Sequence, residues 1–352
     1  MMKQKMVMCL LAGILVLGIG GCGTQEVEVP EVENVETAEE EPVPEETDTE
    51  TAQEETPAEG KTEAEEELEQ SDAESAPEEV PTVDDAAEPE ETEAASAPVV
   101  YEDGGQITLD PSWTYADHSK INSGAAVLYK AAENRKEIVV GVNAGHGTSG
   151  GTKVKTLCHP DGSAKVTGGT TAAGATEAVA VSSGMTFNDG TPESSVTLWM
   201  AQILKEKLLV AGYDVLMLRD GDDVQLDNVA RTVICNNAAD CHIALHWDGD
   251  GLNYDKGCFY ISVPDGLKSM EPVASHWSEH NALGSALVEG LRAQGAKING
   301  GGSMSIDLTQ TSYSTIPSVD MELGNACSNH SDETLNIQAE GLLRGINAYY
   351  GR

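Results

Sequence analysis

The chain holds only 20 Lys and Arg against 60 Asp and Glu, only two Phe, and no aromatic residue before Tyr101. No segment is basic, which excludes recognition of nucleic acid through phosphate neutralisation. Long apolar runs are also scarce. Only Met6–Gly21 approaches spanning length, which excludes a polytopic membrane protein. Residues 23–100 have no Phe, Trp or Tyr and a single base, Lys61, but carry 30 acids and 8 of the 14 prolines. Such a tract cannot bury enough apolar surface to offset its ordering entropy, so it is expected to be disordered. Most of the formal charge of −40 resides there. Cysteines are few, and the five beyond residue 100 (Cys158, Cys235, Cys241, Cys258, Cys327) match no zinc-knuckle spacing. Being odd in number, they leave at least one thiol free or bridged to another molecule if the chain is exported.

Lys3 and Lys5 precede the apolar run, and small residues end it, the pattern of a secretory signal. Ile19-Gly20-Gly21-Cys22 resembles the lipobox of bacterial lipoproteins. The resemblance implies a signal peptide over 1–21, lipidation at Cys22, and a location outside the cytoplasm, anchored to the cell membrane or envelope. Residues 22–100 then form an acidic, proline-rich stalk. A flexible coil of this length spans roughly 50 Å root-mean-square.

The remainder reads as one α/β domain with a central, mostly parallel sheet flanked by helices. Glu137–Asn143 is a short β-branched run, and further strands are expected at Asp214–Leu218, His242–His246, Gly257–Val263 and Ser318–Leu323. Between them, Thr191-Pro192-Glu193 opens a helix with Val196, Met200, Ile203, Leu204 and Leu208 on one face, and Gly212 closes it. Helices are also expected over Leu226–Asn236, Val273–Gln294 and Asp332–Tyr350. Alternating strands and helices argue for the parallel sheet. Residues 101–135 are expected to pack as an N-terminal extension of a domain covering 136–352. Residues 147–192, rich in Gly, Thr, Ser and Ala, read as a weakly structured insertion.

Sites in open α/β sheets lie at the carboxyl ends of strands. Four chemically able groups fall there or at a helix entrance: His146, Glu193, His246 and Glu322. Taken singly, Glu193 is a suitable helix N-terminal charge and His246 a suitable core histidine. Glu322, between Met321 and Leu323 in an apolar strand, is harder to place without a task, because an unpartnered buried carboxylate is costly. Taken together, two imidazoles and a carboxylate form a catalytic zinc set, and a second carboxylate is able to move a proton.

The order of these motifs resembles the zinc-dependent N-acetylmuramoyl-L-alanine amidases of bacterial cell walls. VVGVNAGHG resembles the first strand and its loop, ESSVTLWMAQILKEKLLVAGYDVLMLRD the ligand helix and second strand, RTVICNNAADCHIALHWD the second-histidine region, and IPSVDMELGN the strand bearing the catalytic glutamate. The resemblance implies Zn2+ held by His146, Glu193 and His246, Glu322 as the catalytic acid–base, and peptidoglycan as the substrate, cut between N-acetylmuramic acid and L-alanine. It points to no particular protein partner. Departures accompany it. Asn143 stands where aspartate is frequent, Trp247-Asp248 replace Ala-Asn, Asn325 replaces Phe, and 46 residues separate His146 from Glu193. These leave open a catalytically inactive peptidoglycan-binding lipoprotein with the same fold, or a zinc amidase acting on another peptide amide. The insertion reads equally as a lid or as a surface excursion. Arg231 is expected to cap backbone or pair a carboxylate, His242 to serve as a core or supporting residue, and His159 to reach the site only if the insertion folds back.

Overall fold

The computed structural model describes residues 101–352. The signal sequence expected over 1–21, the lipidation expected at Cys22 and the stalk expected over 22–100 lie outside the described residues. In chain order the elements are β1 (Gln106–Ile107), β2 (Ala126–Tyr129), β3 (Val139–Ala144), β4 (Lys155–Leu157), β5 (Glu177–Val179), α1 (Glu193–Val210), β6 (Asp214–Met217), α2 (Asn228–Ala238), β7 (Cys241–Asp248), β8 (Cys258–Ser262), α3 (Val273–Ala293), β9 (Ile298–Ser305), α4 (Thr309–Tyr313), β10 (Ser318–Asn325) and α5 (Asp332–Tyr349).

Eight strands form one sheet in the order β1-β2-β6-β3-β7-β10-β8-β9. The centre is parallel: β3 pairs with β6 and β7, and β10 with β7. The flanks are mixed, because β2 runs antiparallel to β6 and β8 antiparallel to β10, while β9 lies parallel to β8. Two strands from residues 101–135 therefore complete one edge. β4 and β5 make a separate hairpin inside the 147–192 segment.

Period-two alternation sorts the central strands. Val140, Val142, Ile243, Leu245, Val319, Met321 and Leu323 face a core built with Val196, Met200, Leu204 and Leu208 of α1 and the apolar faces of α3 and α5. On the opposite face, Leu128, Leu216 and Leu218 pack against Ala230, Ile234 and Cys235 of α2. That face also carries the polar residues Asn143, His242, His246, Asp320 and Glu322, so the alternation that builds one core delivers the functional groups to the other side. Helices α3 and α5 approach at Gly290, Gly341 and Gly345, where an added Cβ would strike the facing backbone. Among the described residues no helix is long and apolar enough to cross a membrane.

Candidate metal centre and its cleft

His146 follows β3 in the left-handed conformation, with φ 65°, and Gly147 continues it at φ 68°. Two buried arginines hold this turn. Arg231 donates to the side-chain oxygen of Asn143 (2.9 Å) and to the carbonyls of Ala144 (3.0 Å), His146 (2.6 Å) and Leu226 (3.1 Å). Arg219 donates to the carbonyls of Ala144 (3.2 Å), Gly145 (3.0 Å) and Ser194 (2.8 Å). Burial lowers their pKa values to about 9 for Arg231 and about 10 for Arg219, so both stay cationic at neutral pH beneath a carboxylate-rich cleft. Arg231 thus caps backbone and bonds no carboxylate. Arg219, missed in the sequence, shares the task.

Glu193 is the first residue of α1, yet it is 2 % exposed and turned inward. Its Oε2 accepts from the Met185 N–H (2.8 Å) and its Oε1 from the Trp247 N–H (3.0 Å). Burial opposes its charge, but the bonds to His146 and His246 outweigh burial and hold the carboxyl far below its ordinary range. His246, near the end of β7, lies across Gly145, where a Cβ would come within 2.3 Å of its imidazole ring. That close approach explains the first glycine of Gly-His-Gly. The rings of His146 and His246 meet edge to face, 4.6 Å between centroids.

The three sequence-selected donors converge. Glu193 Oε1 lies 2.8 Å from His146 Nε2 and 3.1 Å from His246 Nδ1, and the two nitrogens are 3.0 Å apart. The carbonyl of Ser182 sits 2.9 Å from His146 Nδ1. A carbonyl only accepts, so Nδ1 carries a hydrogen, and in the neutral ring Nε2 presents a lone pair. That lone pair faces a carboxylate oxygen and a second imidazole, an arrangement bridged by a shared proton or by a bound cation. The donor set therefore fits a metal ion, all three atoms lie within 4.8 Å of one another, and N/N/O donors with an oriented histidine suit zinc.

Glu322 is not part of this donor group. It sits on β10 opposite His246 of β7 and lines the same cleft, of about 430 Å³. Its Oε2 is occluded and has no partner among the described residues. Burial, and next the charge of Asp320, push its pKa well above the usual carboxylate range. Asp320, two residues earlier on the same face, was not selected from the sequence. Burial raises its pKa too, against the pull of His246. Period-two spacing from Glu322 was the available signal.

The 147–192 segment supplies one wall of the cleft through Lys165, Thr170, Val179, Ser182, Ser183 and Met185. It is latched to the loop after β9 by Asp307, which is fully buried. His159 Nε2 lies 2.9 Å from Asp307 Oδ1, and the Val166 N–H donates to Oδ2 at 2.8 Å. Lys165 donates to the Asp307 carbonyl, and the Asp307 N–H donates to Thr167 Oγ1 at 2.8 Å. His159 thus belongs to the latch and not to the donor set. His242 is buried 3.1 Å from the Asn143 amide, and burial lowers its pKa to about 3. Of the replacements beside the site, Asn143 and Asp248 line the cleft, Asp248 paired with Lys256, whereas Trp247 and Asn325 engage the body of the domain. The Trp247 ring enters the core, and the Asn325 amide bonds Asp250 and the Tyr254 carbonyl.

A family model described as N-acetylmuramoyl-L-alanine amidase matches residues 140–342, more than half of the chain. Among solved structures, the N-acetylmuramyl-L-alanine amidase Ami1 of Mycobacterium smegmatis is similar at 20% identity and a TM-score of 0.51, covering 62% of this chain and 99% of that one. The apo form of Ami1 from Mycobacterium abscessus is 22% identical, with a TM-score of 0.49 over 61% of this chain and 99% of that one. No functionally curated protein matches.

Proposed function

The chain belongs to the N-acetylmuramoyl-L-alanine amidase family, and we propose on that basis that it is an exported zinc hydrolase cutting the amide between N-acetylmuramic acid and L-alanine in peptidoglycan. The observation that carries this reading is the meeting of two imidazole nitrogens and a carboxylate oxygen beside a second, unpartnered carboxylate. His146, Glu193 and His246 would hold the zinc. Bound there, zinc supplies Lewis acidity, which polarises a carbonyl and makes water nucleophilic at neutral pH. Glu322 accepts the proton of the attacking water and returns it to the departing amine of L-alanine. Its raised pKa suits both halves of that task, since a more basic carboxylate takes a proton readily and releases it to an amine. Arg231 and Arg219 keep the His146 turn in place, and Ser182 fixes the tautomer that His146 presents.

Glu322→Gln should retain zinc and lose about 10²–10⁴-fold in peptidoglycan hydrolysis. A fully active variant refutes the role of Glu322. Mass spectrometry of a wild-type digest tests the substrate: the reading requires peptides that begin with a free L-alanine amine, and a different new amine would identify another amide. A non-catalytic wall-binding protein gains little support from the replacements Trp247 and Asn325, because the Trp247 ring packs in the core and the Asn325 amide bonds Asp250. We further read Cys22 as a lipid anchor and 23–100 as the stalk carrying the domain from the membrane. A Cys22→Ser chain that still fractionates with membranes overturns that reading.

A further inference from the structure

A second concavity, of about 510 Å³, shares no lining residue with the cleft and takes no part in the chemistry above. Two loops build it. Asn188 N–H donates to the Ala326 carbonyl (3.1 Å), His330 Nε2 meets Asp189 Oδ2 (3.2 Å), and the rings of Phe187 and His330 pack at a tilt of 44°, 4.2 Å between centroids. Trp199 of α1 forms an aromatic side of the concavity and is 39% exposed, although its neighbours Val196 and Met200 are buried. An indole left open beside a concavity is a ready stacking surface, since its electron-rich face attracts the C–H face of a flat, hydroxylated ring.

The rim is polar and has capacity to spare. The Asn329 side-chain oxygen accepts from the Ser331 N–H at 2.9 Å, which leaves its NH2 group free to donate, and Asp189 is largely exposed. Among the described residues no Lys or Arg lines the concavity, and its histidine is already paired with Asp189. It offers nothing to a carboxylate-bearing peptide. Stacking surface, amide and carboxylate without a free cation fit a neutral sugar.

Both loops that build the concavity run on in the chain from residues of the cleft. Ser182–Met185 line the cleft, Phe187–Asp189 line the concavity, and Glu193 follows. Glu322 lines the cleft, and four residues on Ala326 lines the concavity, at most about 14 Å away. Trp199 stands about 9 Å along α1 from Glu193. We infer that this concavity is a glycan subsite, with Trp199 stacking on an N-acetylhexosamine of the strand next to the sugar that bears the scissile amide. The inference rests on the peptidoglycan reading above and adds where the polymer is gripped.

The test uses the full chain and a peptide-free probe, the β-1,4-linked tetramer of N-acetylglucosamine, followed by tryptophan fluorescence and calorimetry. Saturable binding is expected, weakened about tenfold or more by Trp199→Ala and by Asn329→Ala. The free stem peptide should not compete. Both variants should raise KM for long glycan strands while leaving turnover of a one-sugar muramoyl-peptide unchanged. Should Trp199→Ala fail to fold, Asn329→Ala and Trp199→Tyr carry the test, the tyrosine retaining a stacking face. Absence of tetramer binding, equal binding by the variants, or competition by the peptide overturns the subsite. Tetramer binding without amide hydrolysis would leave the subsite standing and refute the enzymatic reading instead.

Discussion

Asp307→Asn tests whether the 147–192 wall is held by a single buried carboxylate. Asp307 is fully buried, and Lys165, 7% exposed, lies 3.5 Å from its Oδ1. Asparagine keeps one acceptor oxygen and presents an NH2 group at the other position. Either the Val166 N–H or His159 Nε2 then loses its acceptor, at about 1.5–3 kcal/mol for a bond to a charged group. Lys165 also loses its counter-charge, and an unpaired buried charge costs about 3–5 kcal/mol. The two overlap, and about 4 kcal/mol is a reasonable net figure. All of these contacts join the wall to the body, so the wall should open before the domain unfolds. Amide exchange followed by mass spectrometry should speed up by about 10²–10³-fold over residues 147–192, with little change in α3 and α5. Asp265→Asn, which removes an exposed pairing with Lys268, is the control and should change nothing measurable. Unchanged exchange in the wall, or equal acceleration throughout, refutes the latch. Acid provides a second check. Burial works to raise the Asp307 pKa, but His159, the Val166 N–H and Lys165 outweigh it, so the folded value lies below the ordinary one. Its contribution is therefore complete above the unfolded carboxylate pKa of about 3.9 and disappears as pH falls through the lower folded value. The wall should stay closed at pH 5 and loosen only in stronger acid.

Asp320→Asn removes a negative charge that helps raise the Glu322 pKa, so the acid limb of the kcat/KM profile should move to lower pH; an unmoved limb would disconnect the two carboxyls. Gly184→Ala places a Cβ 2.7 Å from His146 Cδ2 and 2.8 Å from Glu193 Oε2 at a residue with φ 80°. Competition against a chromophoric chelator should register a loss of zinc affinity of about 10–100-fold. Cys158, Cys235, Cys241 and Cys258 are buried, and burial raises the thiols of Cys241 and Cys258 to about 12, whereas Cys327 is partly exposed. Alkylation of the native protein should therefore modify Cys327 first, with the other four reacting only after denaturation, as peptide mapping would record.

The parts of the fold that were legible share a strong local pattern. β3, β6, β7 and β10 are β-branched or alternating runs, and α1 and α5 repeat apolar residues at helical spacing with identifiable ends. β9 escaped because Gly300, Gly301 and Gly302 interrupt it, and its pairing with β8 shifts register there. α4 has only five residues, and those it buries, Gln310 to Tyr313, are chiefly polar. The donors were legible because each ends a recognisable strand or opens a helix. Asp307 and Lys165 were not, since they lie 142 residues apart in the chain and their partnership leaves no local trace. Arg219 looked like an ordinary charge after a strand, and its burial follows only from how β3 and α1 come together.

The wall segment leaves the body after His146 and rejoins it at Glu193, so two of the three candidate metal donors are its two hinges. A cation held there would clamp a 46-residue loop at its base, much as a cross-link would, removing closure entropy that the chain otherwise bears alone. Asp307 clamps the same loop from its far side. Two clamps on one loop assist each other, and the assistance is reciprocal: whatever a closed latch adds to metal affinity, bound metal returns to the latch. A residue that touches none of the three donors would thereby enter the dissociation constant of any metal bound there, and the wall of the cleft would report whether the centre is filled.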